Sequence, residues 1–187
     1  MRERILAVAT ALFVERGYEG VAMREIAEAC GITKAALYYH FAGKSDVLTA
    51  IFTGYLSEIA EVVEASAAQG TGERRLRWLV ERLFELPAER RAIMRLALHD
   101  VGRLEDAQRV AFAAEYRARF IGPLQEIVAE GTTAGEFAAK DPAVVVWLLL
   151  GMLYPFFAPP GTGPSADPQT VDDLLDVFFH GLSRPQP

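Results

Sequence analysis

The chain has 187 residues, 51% hydrophobic and 24% charged, a composition that excludes a disordered protein and suffices for one large or two small domains. A single cysteine, Cys30, excludes an intrachain disulfide, and with only three histidines it argues against a structural zinc site. The net charge of −6 argues against a generally basic nucleic-acid binder, yet the first 50 residues are neutral, with six basic and six acidic side chains. This cysteine usage, with no signal-peptide pattern after Met1, predicts a cytoplasmic protein.

Helical periodicity dominates the N-terminal third, and strand-like alternation is absent. The first helix is predicted over about residues 3–16 and ends at Gly17, a natural helix stop. A second helix over about 23–30 and a third over about 33–41 flank Gly31. The fourth is predicted to begin at Ser45, a favourable N-cap, and to run into the 60s.

The rest of the chain also predicts helices, over about 73–86, 88–99, 105–130 with a kink at Pro123, a segment opened by Asp141 and Pro142, and 168–183. The fold class is therefore all-α, with about nine helices. The uncharged stretch between Asp141 and Asp167 could be read as a membrane span, but Gly151 and Pro155 interrupt it before about 20 apolar residues are reached. A helix buried on all sides is favoured, and no membrane partner is expected.

The second and third helices, joined by a glycine turn, have the spacing of a helix-turn-helix. Leu37 and Phe41 share the inward face of the third helix, so its small residues and tyrosines face outward. Small side chains let a helix enter the major groove, and tyrosine hydroxyls suit phosphate oxygens. On spacing alone, an ordinary pair of core helices is an equal alternative; the adjacent outward tyrosines, Tyr38 and Tyr39, favour DNA binding.

The matching residues extend over Ile5 to Phe52, and this stretch resembles the N-terminal domain of the TetR family of regulators. The motifs are Ala9, Leu12 and Phe13; Gly17-Tyr18; Met23 to Ala27; Gly31 to Lys34; Leu37-Tyr38-Tyr39-His40-Phe41; Lys44; and Leu48. The resemblance implies a DNA-binding domain over 1–46 whose third helix lies in the major groove, and a ligand-binding and dimerisation domain over 47–187. The predicted DNA-contacting residues are Arg24, Thr33, Lys34, Ala35, Ala36, Tyr38, Tyr39, His40 and Lys44.

One position departs from the family pattern. The family usually has Thr or Ser where this chain has Ala22, and that hydroxyl caps the second helix and often meets a phosphate. Its loss is expected to cost about 0.5–2 kcal/mol of capping and one phosphate contact.

The last helix carries an apolar stripe, and the segment after Asp141 is apolar all round, so together they could form a four-helix interface between two chains. The alternative is that both helices only close the core of one chain. The predicted dimer interface comprises Trp147, Leu150, Val171, Leu174, Leu175, Phe178, Phe179 and Leu182.

Aromatic and Met residues of the C-terminal two thirds could line an apolar ligand pocket, or fill an ordinary core. The predicted pocket comprises Phe84, Met94, Phe112, Tyr116, Phe120, Trp147 and Tyr154. The segment 135–152 is also similar to family members that sense acyl-CoA esters. The stretch 156–160 lacks the arginine that such members often carry, which argues against a CoA ligand.

An enzyme is not expected, because the adjacent His99 and Asp100 point about 100° apart on a helix and no phosphate-binding loop is present. No cofactor and no metal site are predicted. The sequence favours a ligand-responsive transcriptional regulator, a repressor rather than an activator. It would bind a palindromic double-stranded operator as a homodimer and be released by a small apolar or amphipathic effector. The alternative is a helical ligand-binding or scaffold protein that does not bind DNA.

Overall fold

The computed structural model describes residues 1–158, 163–164 and 167–181, and in them the regular structure is helical. A π-helical turn, Arg117–Ile121, joins the seventh and eighth helices without a break, so residues 106–133 form one continuous helical segment and the described residues contain nine such segments. The all-α prediction is confirmed. The helices are α1 (Arg2–Arg16), α2 (Met23–Ala29), α3 (Lys34–His40), α4 (Lys44–Ala65), α5 (Gly72–Glu85), α6 (Ala88–Asp100), α7 (Asp106–Tyr116), α8 (Gly122–Thr133), α9 (Pro142–Leu153) and α10 (Pro168–His180).

A π-helical turn that ends at Ile121 precedes Pro123, where the sequence predicts a kink. Proline has no N–H, so the carbonyl four residues earlier loses its α-helical donor. The hydrogen-bond ladder changes register just before this point, where the N–H of Gly122 donates to the carbonyl of Arg117, five residues back.

Two helix ends also differ from the prediction. Helix α4 begins at Lys44 with Gly43 as its N-cap, so Ser45 lies inside the first turn and does not cap it. Helix α10 ends at His180, before the predicted end at Ser183, because Gly181 has a φ of 73° and leaves the helical region. Ser183 itself lies outside the described residues.

A single apolar core runs through the part of the chain that the structure describes, and α4 belongs to both halves of it. Near its start, Leu48 and Phe52 are buried in the same cluster as Phe13 of α1, while Ile59 and Val63 continue the cluster toward α5. Any movement of α4 relative to the body therefore moves the N-terminal helices. The domain boundary predicted at residue 46 remains a prediction.

The sequence favours a helix buried on all sides for the segment that forms α9, and this prediction is wrong. Helix α9 buries Val146, Leu149 and Leu153 against the body, but leaves Trp147 54% and Leu148 59% exposed. A helix that is apolar all round can bury only one face against a single layer of neighbours. Among the residues described, no helix is long and apolar enough to cross a bilayer.

Candidate DNA-binding surface and effector cavity

Helices α2 and α3 form the helix-turn-helix that their spacing predicts. Gly31 between them has a φ of 63°, a conformation that glycine adopts without strain. The N–H of Ile32 donates to the carbonyl of Ala27 at 3.0 Å and closes the turn. Ile26 and Leu37 are both fully buried, so the angle between the two helices is fixed by packing.

Helix α3 presents an outward face of small and aromatic side chains. The hydroxyl of Thr33 accepts from the N–H of Ala36 at 3.1 Å and caps the helix, as predicted. Tyr38 is 43% and Tyr39 is 87% exposed. The ammonium of Lys34 lies 5.5 Å from the centre of the Tyr38 ring, so a cation and a phenol share one edge of the helix.

The N-terminus of α2 lacks the usual hydroxyl but is not left uncapped. The backbone N–H of Ala22 donates to Oε2 of Glu25 at 2.7 Å, which is one half of a capping box. Nη1 of Arg16 donates to the other carboxylate oxygen at 2.8 Å. These two partners, the Ala22 N–H first, lower the pKa of the Glu25 carboxyl below its ordinary value.

Lys44 has a structural role that the sequence did not reveal. Its Nζ donates to the carbonyl of Tyr18 at 2.8 Å and to the carbonyl of Val21 at 2.9 Å. The same ammonium lies 4.1 Å from the centre of the Tyr18 ring. Since an ammonium has three N–H groups, one remains for the phosphate contact that was predicted.

An open groove of about 530 Å³ runs between the start of α2 and the flank of α3. The cations Lys34 and Lys44 line it, and so does Arg24, which pairs with Glu28 at 3.3 Å on a fully solvated surface. A solvated pair of this kind is weak and can exchange its carboxylate for a phosphate. Of the other predicted contacts, Ala35 is exposed, while Ala36 and His40 are half-buried on the flanks of α3.

A small cavity lies in the body between α4, α6, α7 and the π-helical turn, with a volume of about 30 Å³. That is room for about one or two water molecules. Burial raises the pKa of both tyrosine hydroxyls at its wall, that of Tyr116 to about 12 and that of Tyr55 further, so both stay neutral. The lining residues are Phe52, Tyr55, Leu56, Ile59, Met94, Ala97, Phe112, Tyr116 and Phe120.

Four of the predicted pocket residues, Met94, Phe112, Tyr116 and Phe120, line this cavity. The other three do not. The Phe84 ring packs against those of Phe156 and Phe157, with centroids 5.6 and 6.1 Å away. Trp147 is exposed on α9, and the hydroxyl of Tyr154 lies 2.6 Å from Nε2 of His99.

Three residues of the predicted dimer interface are corrected, and the interface itself stays a prediction. Val171, Leu174 and Leu175 of α10 are buried within the chain itself, largely against α5, and cannot form an exposed interface. Leu150, Phe178 and Phe179 are half-buried, and Leu182 lies outside the described residues. The exposed apolar stripe is on α9 and consists of Val144, Trp147 and Leu148, spaced three and four residues apart.

Comparisons with known proteins agree with this geometry. The sequence model of the bacterial regulatory proteins of the tetR family matches residues 5–51, and that of the tetracyclin repressor-like C-terminal domain matches residues 69–157. The HTH-type transcriptional repressor KstR2 of Rhodococcus jostii (strain RHA1) is 27% identical over 98% of this chain and 92% of its own length.

Two solved structures cover nearly the whole chain. A transcriptional regulator of the TetR/AcrR family from Thermobifida fusca is 30% identical, covers 98% of both chains and gives a TM-score of 0.70. AibR, solved in complex with isovaleryl coenzyme A and operator DNA, is 28% identical over 95% of this chain and 97% of its own, with a TM-score of 0.83. From its N-terminal helix-turn-helix to its helical body, the chain belongs to the TetR family of bacterial transcriptional regulators.

Proposed function

We propose that this regulator is a repressor that binds operator DNA as a homodimer and is released by a small apolar or amphipathic effector. The observation that carries the proposal is the outward face of α3, a helix capped by Thr33, on which Tyr39 is 87% exposed. An aromatic side chain so exposed gains little within the chain but can contact a phosphate or a base edge. The relatives named above are transcriptional regulators, in line with the expectation that the chain is not an enzyme.

The homodimer is supported by the exposed stripe of Val144, Trp147 and Leu148 on α9. Large apolar side chains exposed side by side are typical of protein interfaces, where tryptophan is enriched. A second copy packed on this stripe would give a twofold assembly with two copies of α3, the reading helix, which is proposed to enter the major groove. Such a dimer reads half-sites roughly 34–36 Å, or a multiple of that distance, apart.

The effector is proposed to bind the cavity between α4 and α7. AibR, which was solved with isovaleryl coenzyme A, makes short acyl thioesters the first compounds to test. The aromatic wall formed by Phe112, Tyr116 and Phe120 suits an apolar acyl group. No cation lines the cavity, so the CoA moiety would have to be held outside it.

The test is operator binding measured with a fluorescent duplex covering the DNA upstream of the protein's own gene, at several salt concentrations. Wild-type protein is expected to prefer this duplex over a scrambled one and to lose affinity as salt rises. Tyr39→Ala is expected to weaken binding without changing the melting temperature, and Val110→Ala, at a residue that is also exposed but lies on α7, to change neither. No preference for the upstream DNA over scrambled DNA would refute the repressor proposal and favour a helical ligand-binding protein.

A further inference from the structure

Helix α7 is attached to the rest of the protein by one narrow face. None of its residues is fully buried. Three of its half-buried residues, Gln108, Phe112 and Tyr116, are spaced four apart and so share one stripe. That stripe faces α4, against which α7 packs, and the Phe112 ring lies 5.5 Å from that of Phe52. One stripe of α7 thus reaches from the effector cavity to the start of α4.

At the N-terminal end of the stripe, the side chain of Gln108 joins α7 to the DNA-binding domain. Its Nε2 donates to Oδ1 of Asp46 at 2.7 Å, and its Oε1 accepts from the hydroxyl of Ser45. The same oxygen accepts from the backbone N–H of Glu105 at 3.2 Å, which caps α7. Ser45 and Asp46 directly follow Lys44, whose ammonium holds the carbonyls of the 18–21 loop.

At the C-terminal end of the stripe, Phe112 and Tyr116 line the cavity, which is too small for an effector. Its volume of about 30 Å³ admits little more than water, so any organic ligand has to push apart the elements that line it, and α7, with Phe112 and Tyr116 in the wall, is one of them. An α-helix moves as a rod, and Gln108 is about one turn from Phe112. Displacement of α7 at the cavity therefore pulls on the hydrogen bonds of Gln108.

We propose that Gln108 is the positioning residue that transmits filling of the cavity to the helix-turn-helix, an inference that rests on the function proposed above. While the cavity is empty, Gln108 holds the first turn of α4 in the orientation that binds operator. When the cavity fills, α7 moves. The hydrogen bonds of Gln108 to Ser45 and Asp46 then either break or shift α4 together with α7. Without this side chain, the cavity can fill and the reading helix does not respond.

A substitution inside the cavity can stand in for the effector. Ala97 of α6 lines the cavity, so Ala97→Phe places a ring where a ligand would lie, and Ala97→Leu is the milder version. Affinity for the upstream duplex is measured for Ala97→Phe alone, for Gln108→Ala alone and for the double variant. Ala97→Phe is expected to lower affinity about tenfold in the wild-type background and less than about twofold in the Gln108→Ala background.

Two further variants isolate the role of the side chain. Gln108→Glu keeps an acceptor for the Glu105 N–H but faces Asp46 with a second carboxylate, so it should also abolish the response to Ala97→Phe. Arg103→Ala removes the exposed ion pair to Glu19, at 3.2 Å, which also connects the segment just before α7 with the N-terminal helices. That control should keep the full response, because so exposed a pair contributes little.

Melting curves establish that each variant is folded, and Ala97→Leu replaces Ala97→Phe if the latter is not. Equal loss of affinity in both backgrounds, or no loss in either, would overturn the role of Gln108. Hydrogen exchange at the amides of 45–48, measured without DNA, is expected to be faster in Ala97→Phe than in the wild type, but no faster in the double variant than in Gln108→Ala alone. This readout still tests Gln108 if the wild-type protein binds no operator, so the two proposals can fail separately.

Discussion

Lys44 contacts both the backbone and the side chain of Tyr18. Its ammonium donates to the carbonyl of Tyr18 at 2.8 Å and lies 4.1 Å from the centre of the Tyr18 ring. The lysine opens α4, and the tyrosine belongs to the loop between α1 and α2. The contact therefore fixes the loop that leads into the helix-turn-helix. Burial, first among several causes, raises the pKa of the Tyr18 phenol, which keeps the ring neutral beneath the cation.

Lys44→Met is expected to destabilise the protein by about 1–3 kcal/mol, because it removes two charge-assisted hydrogen bonds. The measurement is the free energy of unfolding in urea. Lys34→Met is the matched control, since the Lys34 side chain is exposed and donates no hydrogen bond within the described residues. It should leave stability unchanged and reduce the salt slope of operator binding by about 1. Equal stability of the two variants would contradict the structural role of Lys44.

Ala22→Ser is expected to stabilise the protein by about 0.5–2 kcal/mol, because a serine hydroxyl at the N-cap completes the capping box that Glu25 half supplies. Operator affinity should rise as well, since a hydroxyl at this end of α2 can donate to a phosphate. Thermal melting and operator titration are the two measurements. Ala22→Val, which adds bulk without an acceptor, is the control; a gain of stability in that variant would exclude capping as the cause.

The pKa of Glu25 is lower in the folded protein than its ordinary value of 4.5. A carboxyl with a depressed folded pKa contributes stability that is fully present above the unfolded value and lost as the pH falls through the folded value. Stability of the wild type should therefore decline below about pH 4.5, partly through Glu25. In Glu25→Gln that part of the decline should be missing, as followed by urea unfolding between pH 3 and 7, roughly the range of carboxyl titration. Parallel pH profiles for the two proteins would contradict this assignment.

Trp147→Glu is expected to convert the protein to a monomer, because it places a charge in the middle of the exposed stripe on α9. Sedimentation velocity over a range of concentrations measures the change. Leu98→Glu, at a leucine 49% exposed on α6, is the matched control and should leave the oligomeric state unchanged. A wild type that is already monomeric would refute the homodimer, and a Trp147→Glu dimer would place the interface elsewhere.

The reading helix was predictable from sequence because its determinants are local. Thr33 caps α3, Gly31 makes the turn and Leu37 fixes the inward face, so the outward position of Tyr38 and Tyr39 follows from helix geometry alone. The role of Lys44 was not predictable, because its partners lie 23 and 26 residues away and are backbone carbonyls, which every residue has.

The cavity and the interface show where helical periodicity stops being informative. The apolar stripe of α4 supplies four of the nine residues that line the cavity, yet residues such as Tyr55 and Ile59 have the same pattern as ordinary core residues. The stripe of α10 looked available to a partner, but α5 of the same chain buries Leu174 and Leu175. Helix α9 is apolar all round, so its sequence could not show that Trp147 is the side that remains exposed.

The position of Trp147 makes the protein its own optical probe. The chain has two tryptophans, and the other, Trp78, is half-buried on α5 with the Arg82 guanidinium 5.7 Å from the centre of its ring. An indole in water emits at longer wavelength than one in an apolar contact, so packing a second copy over α9 would shift the emission to the blue. Trp78→Phe would leave Trp147 as the one tryptophan. Dissociation of that variant on dilution could then be followed by the wavelength of its tryptophan emission, with no label attached.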